Sequence, residues 1–125
     1  MFSHIMIGTN DLDKAKGFYD AVLGALGVGP ATVDGHRMFY RTPSGVLSVT
    51  KPIDGKPATA ANGGTIGFAA SSSEQADAWH AAGVAHGGTT CEDPPGVREG
   101  AMGKMYLAYL RDPDGNKLCA LHRMA

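Results

Sequence analysis

The feature that most constrains the fold is a turn signal near the end of the chain, Asp112-Pro113-Asp114-Gly115, between two runs rich in apolar residues. Proline presets φ at the second turn position, aspartate favours turns, and Gly115 can adopt a positive φ. Such a turn joins antiparallel strands, so we predict a hairpin from Met105 to His122. Alternation places two sets of side chains on opposite faces of its last strand: Lys117, Cys119 and Leu121, and Leu118, Ala120 and His122.

The first part of the chain predicts the element order βαβββ. Phe2–Gly8 alternates like a strand, and apolar residues then recur at helical spacing from Leu12, after a cap at Asn10 or Asp11. Glycines and Pro30 end this helix. Three further strands are expected around Ala31–Val33, His36–Thr42 and Gly45–Lys51, separated by turn residues.

The pattern restarts after a polar, turn-rich linker. Thr65–Ala69 is a predicted strand, and a helix is expected from about Glu74 to Ala82, ended by Gly83. Adding 61 to the first numbers aligns His4 with Thr65, which is a weak internal repeat. Gly87–Lys104 is expected to be a long, glycine-rich loop before the hairpin. We therefore predict one domain over 1–125, with module 1 at about 1–51, a linker at 52–63 and module 2 at about 64–125.

Composition excludes several classes of protein. The 125 residues suffice for one domain, and 43% of them are apolar. A formal net charge of −1 gives no basic footprint for nucleic acid or an anionic membrane. No apolar run is long enough to cross a bilayer, and no signal peptide is expected. Two widely separated cysteines, Cys91 and Cys119, suggest neither a zinc motif nor a disulfide framework. These features predict a cytoplasmic protein.

Motifs at both ends of the chain resemble those of the glyoxalase/bleomycin resistance/dioxygenase proteins, also called the vicinal oxygen chelate superfamily, and in particular a bacterial glyoxalase-like branch. The motifs are Ser3-His4-Ile5-Met6-Ile7, Asp11-Leu12-Asp13, Phe18-Tyr19, Leu23-Gly24 and Arg111 to Leu118. The resemblance implies an α+β fold of tandem βαβββ modules whose curved sheets form a cavity. It also implies a homodimer, because such modules pair within or between chains to close their cavities.

The resemblance also implies which side chains meet in the cavity: His4, Ser48, Thr65 and Cys119. Metal-using members carry two histidines and two carboxylates, or close variants, at these places, and only His4 matches that set. Neutral hydroxyls are weak ligands, and a histidine with a thiolate supplies two of the three or four strong ligands that a stable site needs. We therefore expect no metal or other cofactor, with His4 and Cys119 as the residual candidates for a divalent cation.

His4 and Cys119 are also the candidate catalytic residues. A hydrogen-bonded Cys–His pair would lower the thiol pKa and create a nucleophile. The alternatives are a hydrogen-bonded cavity histidine and a small buried hydrophobe. Arg98 is a candidate clamp for an anionic ligand group, or else a solvated surface charge. Tyr106 and Tyr109 alternate, so one faces the cavity, and Tyr109 joins His4, Ser48, Thr65, Arg98 and Cys119 as a candidate ligand-binding residue.

The predicted function is the binding of a small organic molecule in a glyoxalase-like cavity, with a lyase- or isomerase-type reaction as the leading expectation. Lactoylglutathione lyase activity itself is not expected, because that reaction depends on a metal that polarises vicinal oxygens. The alternative is a metal-free binding protein that sequesters a drug or metabolite without turnover. A hydrogen-bonded Cys–His or Tyr–His pair would favour catalysis, whereas aromatic, hydroxyl-lined walls would favour sequestration.

Overall fold

A computed structural model of the protein describes residues 1–124, which form two helices and nine strands. The elements in chain order are β1 His4–Gly8, α1 Leu12–Ala25, β2 Thr32–Asp34, β3 Arg37–Thr42, β4 Gly45–Thr50, β5 Ile66–Ala69, α2 Ser73–Ala85, β6 Thr89–Thr90, β7 Gly96–Gly100, β8 Gly103–Arg111 and β9 Lys117–Arg123. None of the helices within these residues is long and apolar enough to span a membrane. The α+β class predicted from the sequence is confirmed.

The strands form two separate, unclosed sheets. The first sheet has the order β1-β4-β3-β2, with β1 parallel to β4 and the other pairs antiparallel. The second has the order β5-β9-β8-β6, with β5 parallel to β9 and with β7 also paired to β8. Because β1 and β5 each pair with a neighbour on one side only, each forms a free edge of its sheet. The arrangement of the first sheet recurs in the second, except that β6 and β7 together take the place of one strand.

Side-chain caps fix where both helices begin. The Asp11 carboxylate accepts a bond from the backbone N–H of Lys14 at 3.0 Å, and the Ser72 hydroxyl does the same for Gln75. Helix α1 stops after Ala25, and Gly27 continues the chain at a φ of +85°. The prediction that Gly83 ends α2 is wrong. Gly83 lies inside the helix, where an added Cβ would come within 2.2 Å of Leu110, so its role is close packing.

The segment Gly87–Lys104 is not the long loop that we predicted from its glycines. It contains β6 and β7, which pair with successive parts of β8 and so replace one strand by two. Gly100 pairs with Gly103 across a tight turn, and Gly103 adopts a φ of +96° there. Gly100 and Gly103 therefore serve a hairpin, and the longest stretch of the segment outside the strands is 91–95.

Both sheets turn one face toward a single apolar core. Met38, Tyr40, Leu47 and Val49 contribute from the first sheet, and Leu110, Leu118 and Ala120 from the second. Phe18 and Val22 of α1 and Trp79 of α2 complete this core. Burial of each large side chain contributes roughly 1.5–3 kcal/mol, so this shared core holds the modules together. The opposite face of each sheet, here called its open face, points away from the core.

The turn of the last hairpin joins the two modules through buried polar contacts. Asp112 is 4% exposed, and its carboxylate accepts bonds from the Tyr19 hydroxyl at 2.6 Å and from the Asn116 side chain at 2.9 Å. Burial, and then the Asp112 charge, raise the pKa of Tyr19 well above its ordinary value. Asp114 accepts a bond from the Thr9 hydroxyl at 2.6 Å. The turn is therefore fixed against the junction of β1 and α1.

Candidate functional site

The open face of the first sheet carries a hollow of about 310 Å³. Its floor is Ser48, which lies between Met6 of β1 and Phe39 of β3 in the sheet register. The other lining residues are Ser3, His4, Arg37, Arg41 and Val46. Strand alternation brings these side chains together, because Met38, Tyr40, Leu47 and Val49 take the opposite, core-facing positions.

Two buried polar atoms in this hollow have no partner within the described part of the chain: the Ser48 hydroxyl oxygen and Nε of Arg37. Ser48 is only 1% exposed. A buried hydroxyl without a partner costs about 1–3 kcal/mol. The guanidinium of Arg41 lies over the Phe39 ring, 5.0 Å from its centroid. His4 is exposed at the rim, where its Nδ1 is 2.8 Å from the Ser3 hydroxyl.

The open face of the second sheet is built around Cys119. In the register it lies between Gly67 of β5 and Tyr109 of β8, so Tyr109 faces this side. Tyr106 is on the other face and donates a hydrogen bond to Asp77 of α2 at 2.6 Å. An added Cβ at Gly67 would come within 3.2 Å of the Cys119 sulfur, so the glycine leaves room for the thiol.

Charged groups beside Cys119 act on its thiol in opposite directions. Burial, followed by the negative charge of Glu92, raises the pKa of Cys119, whereas Lys117 lowers it. Lys117 forms an ion pair with Glu92 and lies 5.2 Å from the centroid of the Tyr109 ring. Glu92 holds a φ of +58°, which is uncommon for a residue other than glycine. The balance keeps Cys119 a neutral thiol at neutral pH.

Arg98 lies on the open-face side of β7, but its guanidinium is already bonded. Its Nη2 donates to the backbone carbonyls of Asp93 and Pro94, each at 3.0 Å. Arg98 therefore holds the irregular segment 91–95 against β7.

The remaining predicted site residue, Thr65, is exposed and immediately precedes β5.

The four residues that the resemblance places in one cavity are divided between the two open faces. His4 and Ser48 belong to the first sheet, and Thr65 and Cys119 lie at the second. No hydrogen bond joins His4 to Cys119 within residues 1–124, where His4 bonds to Ser3. No three His, Cys, Asp or Glu side chains of this part of the chain are grouped to hold a metal ion.

A larger cleft of about 550 Å³ lies between the free edges of β1 and β5. Its walls are mainly apolar and include Phe2 and Ile5 on one side and Ile66 and Phe68 on the other. The end of α1, at Leu23 and Leu26, and the turn between β3 and β4 close its sides. The cleft is thus bordered by two strands with unpaired backbone groups.

Sequence reasoning did not identify Arg37, Phe39 and Arg41, which line the first hollow, or the Lys117–Glu92 pair. A signal for the first group was present. In the segment Arg37-Met38-Phe39-Tyr40-Arg41, alternation alone predicts that both arginines share a face with Phe39. The Lys117–Glu92 pair depends on how segment 91–95 bends back over the sheet, which no local pattern encodes.

Comparison with known proteins extends over nearly the whole chain. A crystal structure of a glyoxalase/bleomycin resistance protein from Albidiferax ferrireducens T118 is similar, with 66% identity, 98% of this chain and 99% of that chain covered, and a TM-score of 0.97. A glyoxalase-related enzyme from Fulvimarina pelagi shares the fold at 18% identity, with 98% and 88% covered and a TM-score of 0.76. A lactoylglutathione lyase from Agrobacterium tumefaciens does so at 20% identity, with 98% and 92% covered and a TM-score of 0.67.

No protein of curated function matches the sequence significantly. The model of the Glyoxalase/Bleomycin resistance protein/Dioxygenase superfamily matches residues 1–120. Together with the relative at 66% identity, this match agrees with the resemblance drawn from the end motifs. The chain therefore belongs to the glyoxalase/bleomycin resistance protein/dioxygenase superfamily.

Proposed function

We propose that the protein binds a small organic molecule on its open faces and holds it without chemical turnover. The observation that carries this proposal is the Ser48 hydroxyl, which is buried and unpartnered at the floor of a hollow. Since an unpaired buried hydroxyl is costly, a group from outside the chain is expected to bond to it. Phe39 and Met6 beside it offer apolar contact to the same molecule.

The state of the candidate catalytic residues supports binding over catalysis. Cys119 is a neutral thiol with a raised pKa and has no hydrogen bond to His4. A thiol is a weak nucleophile unless it is ionised. Burial also raises the pKa of Tyr109, the tyrosine on that face, so it is a poor base at neutral pH. A lyase or isomerase reaction would need an activated group that neither residue supplies here.

The proposed assembly is a homodimer in the cytoplasm. The free edges of β1 and β5 and the apolar cleft between them support association with a second copy. A second copy would also allow the open face of one module to meet that of another, which one chain does not achieve. Both cysteines are free thiols, as a reducing compartment favours.

Native mass spectrometry of protein purified without added metal tests the function. We expect a non-covalently bound organic molecule that is recovered with unchanged mass after release, rebinding and incubation. Metal analysis of the same sample should give substoichiometric zinc, nickel, manganese and iron. Conversion of the released molecule to a product would instead establish an enzyme. One tightly held ion per chain, lost in His4→Ala, would contradict the metal-free proposal.

A further inference from the structure

The hollow on the first sheet is cationic as well as apolar. Arg37, Arg41 and His4 line it, and no acidic residue does so among the residues that the structure describes. The ion pairs within residues 1–124 involve neither arginine. Asp34 lies across from Arg37 in the register of β2 and β3, yet forms no ion pair with it. The two guanidiniums therefore remain available to an anion.

The positions of these groups define a shape. Arg37 and Arg41 are two residues to either side of Phe39 on the same face of β3, and Ser48 is next to Phe39 on β4. Arg41 rests on the Phe39 ring, while Nε of Arg37 is buried without a partner. A guanidinium binds planar oxyanions through several parallel N–H bonds, and the Ser48 hydroxyl can donate one more.

We propose that the molecule bound in this hollow is an organic oxyanion, namely a carboxylate or phosphate monoester attached to a flat apolar group. Arg37 and Ser48 bind the oxyanion, Arg41 adds positive charge, and the apolar group packs against Met6 and the part of the Phe39 ring that Arg41 does not cover. This inference rests on the proposed binding function and specifies its ligand class. It assigns the anion to the first sheet, whereas the bonds of Arg98 keep that arginine at segment 91–95.

Three probes that share one ring system test the proposal by titration calorimetry: naphthoate, naphthyl phosphate and the neutral naphthyl methanol. We expect at least one anion to bind about tenfold more tightly than the neutral probe, with the preference falling as salt is added. Arg37→Gln should weaken that anion about tenfold and leave the neutral probe unchanged, because one charged contact is lost. The relative affinities of the two anions show whether the hollow prefers a carboxylate or a phosphate.

Arg123→Gln is the matched control, because Arg123 is an exposed arginine on the other sheet. Its affinity for all three probes should equal that of the wild-type protein. Equal binding of neutral and anionic probes, or an equal loss in both arginine variants, would overturn the inference while leaving the proposed binding function intact. Absence of binding by every probe would also overturn the inference. The proposed binding function would then still be tested by native mass spectrometry, through the molecule that the purified protein retains. Ser48→Ala should weaken the anion as well, since it removes a donor.

Discussion

At the scale of single residues, the ionisation of Cys119 can be tested through its neighbour Glu92. Glu92 is one cause of the raised thiol pKa, and it also neutralises Lys117, which acts in the opposite direction. Glu92→Gln removes the negative charge that raises the thiol pKa and leaves the positive charge of Lys117 unpaired. The pKa of Cys119 should therefore fall. At a fixed pH below the pKa, the variant should therefore hold a larger fraction of thiolate than the wild-type protein. Its alkylation should be roughly threefold faster, the effect of about half a pKa unit.

The rate of iodoacetamide labelling at Cys119, followed by mass spectrometry across a pH series in a Cys91→Ser background, measures this change. Glu99→Gln is the control, because Glu99 pairs with Lys104 at the surface and is not among the groups that shift Cys119. Unchanged labelling profiles in Glu92→Gln would show that the ion pair does not govern the thiol.

Some residue placements could be predicted and others could not. Alternation along the last strand predicts that Cys119 and Lys117 share a face, and the position of Lys117 over the ring of Tyr109, the strand partner of Cys119, confirms this. The ionisation of Cys119 could not be predicted, because it depends on Glu92, which approaches from the irregular segment 91–95. The role of Arg98 likewise depends on backbone carbonyls of segment 91–95, whose direction no side-chain pattern reports.

At the scale of elements, glycine has two distinct roles in the helices. Gly83 of α2 faces Leu110, Val22 and Phe18, and an added Cβ would lie 2.2, 3.1 and 3.3 Å from their nearest atoms. Gly83→Ala should destabilise the protein by about 1 kcal/mol or more, because overpacking of about 1–3 kcal/mol exceeds the gain in helix propensity. At Gly17 of α1 such a Cβ would meet no atom of residues 1–124 within 4 Å, apart from its own helical turn.

Gly17→Ala is therefore the matched control and should stabilise the protein by about 0.5–1 kcal/mol. Urea unfolding gives both free energies, provided that the dependence on urea concentration is the same in all three proteins. Stabilisation by both substitutions would mean that α2 can move away from the second sheet without cost, against the close contact described for Gly83.

The elements themselves were largely predictable, since hydrophobic period and caps are local signals. The prediction failed where glycine has more than one meaning. The sequence pattern predicts that Gly83 ends a helix and that the glycines of 87–104 belong to a loop, yet Gly83 permits helix packing, and Gly100 and Gly103 permit a hairpin. Only the neighbouring elements distinguish these uses, and a single sequence does not show them.

At the scale of the whole molecule, the cleft between β1 and β5 predicts association. We expect light scattering to give twice the mass of one chain at micromolar concentration, because apolar walls and free strand edges favour a second copy. Phe2→Glu should shift the protein toward monomer, since Phe2 is 68% exposed and lines the cleft. Ile53→Glu is the control, because Ile53 is 87% exposed in the linker. A wild-type monomer would refute the assembly.

The central position of β9 has a consequence for how the protein is made. During synthesis β5 emerges from the ribosome well before Lys117–Arg123, yet β9 is the strand with which it pairs. The hydrogen bond from the Tyr19 hydroxyl likewise cannot form until Asp112 has been synthesised. Ile66 and Phe68 therefore stay unsheltered on the nascent chain until translation has passed β9, an interval in which an unpaired apolar strand is prone to aggregate. Cellular yield should thus depend on chaperone supply more than the stability of the finished fold would suggest.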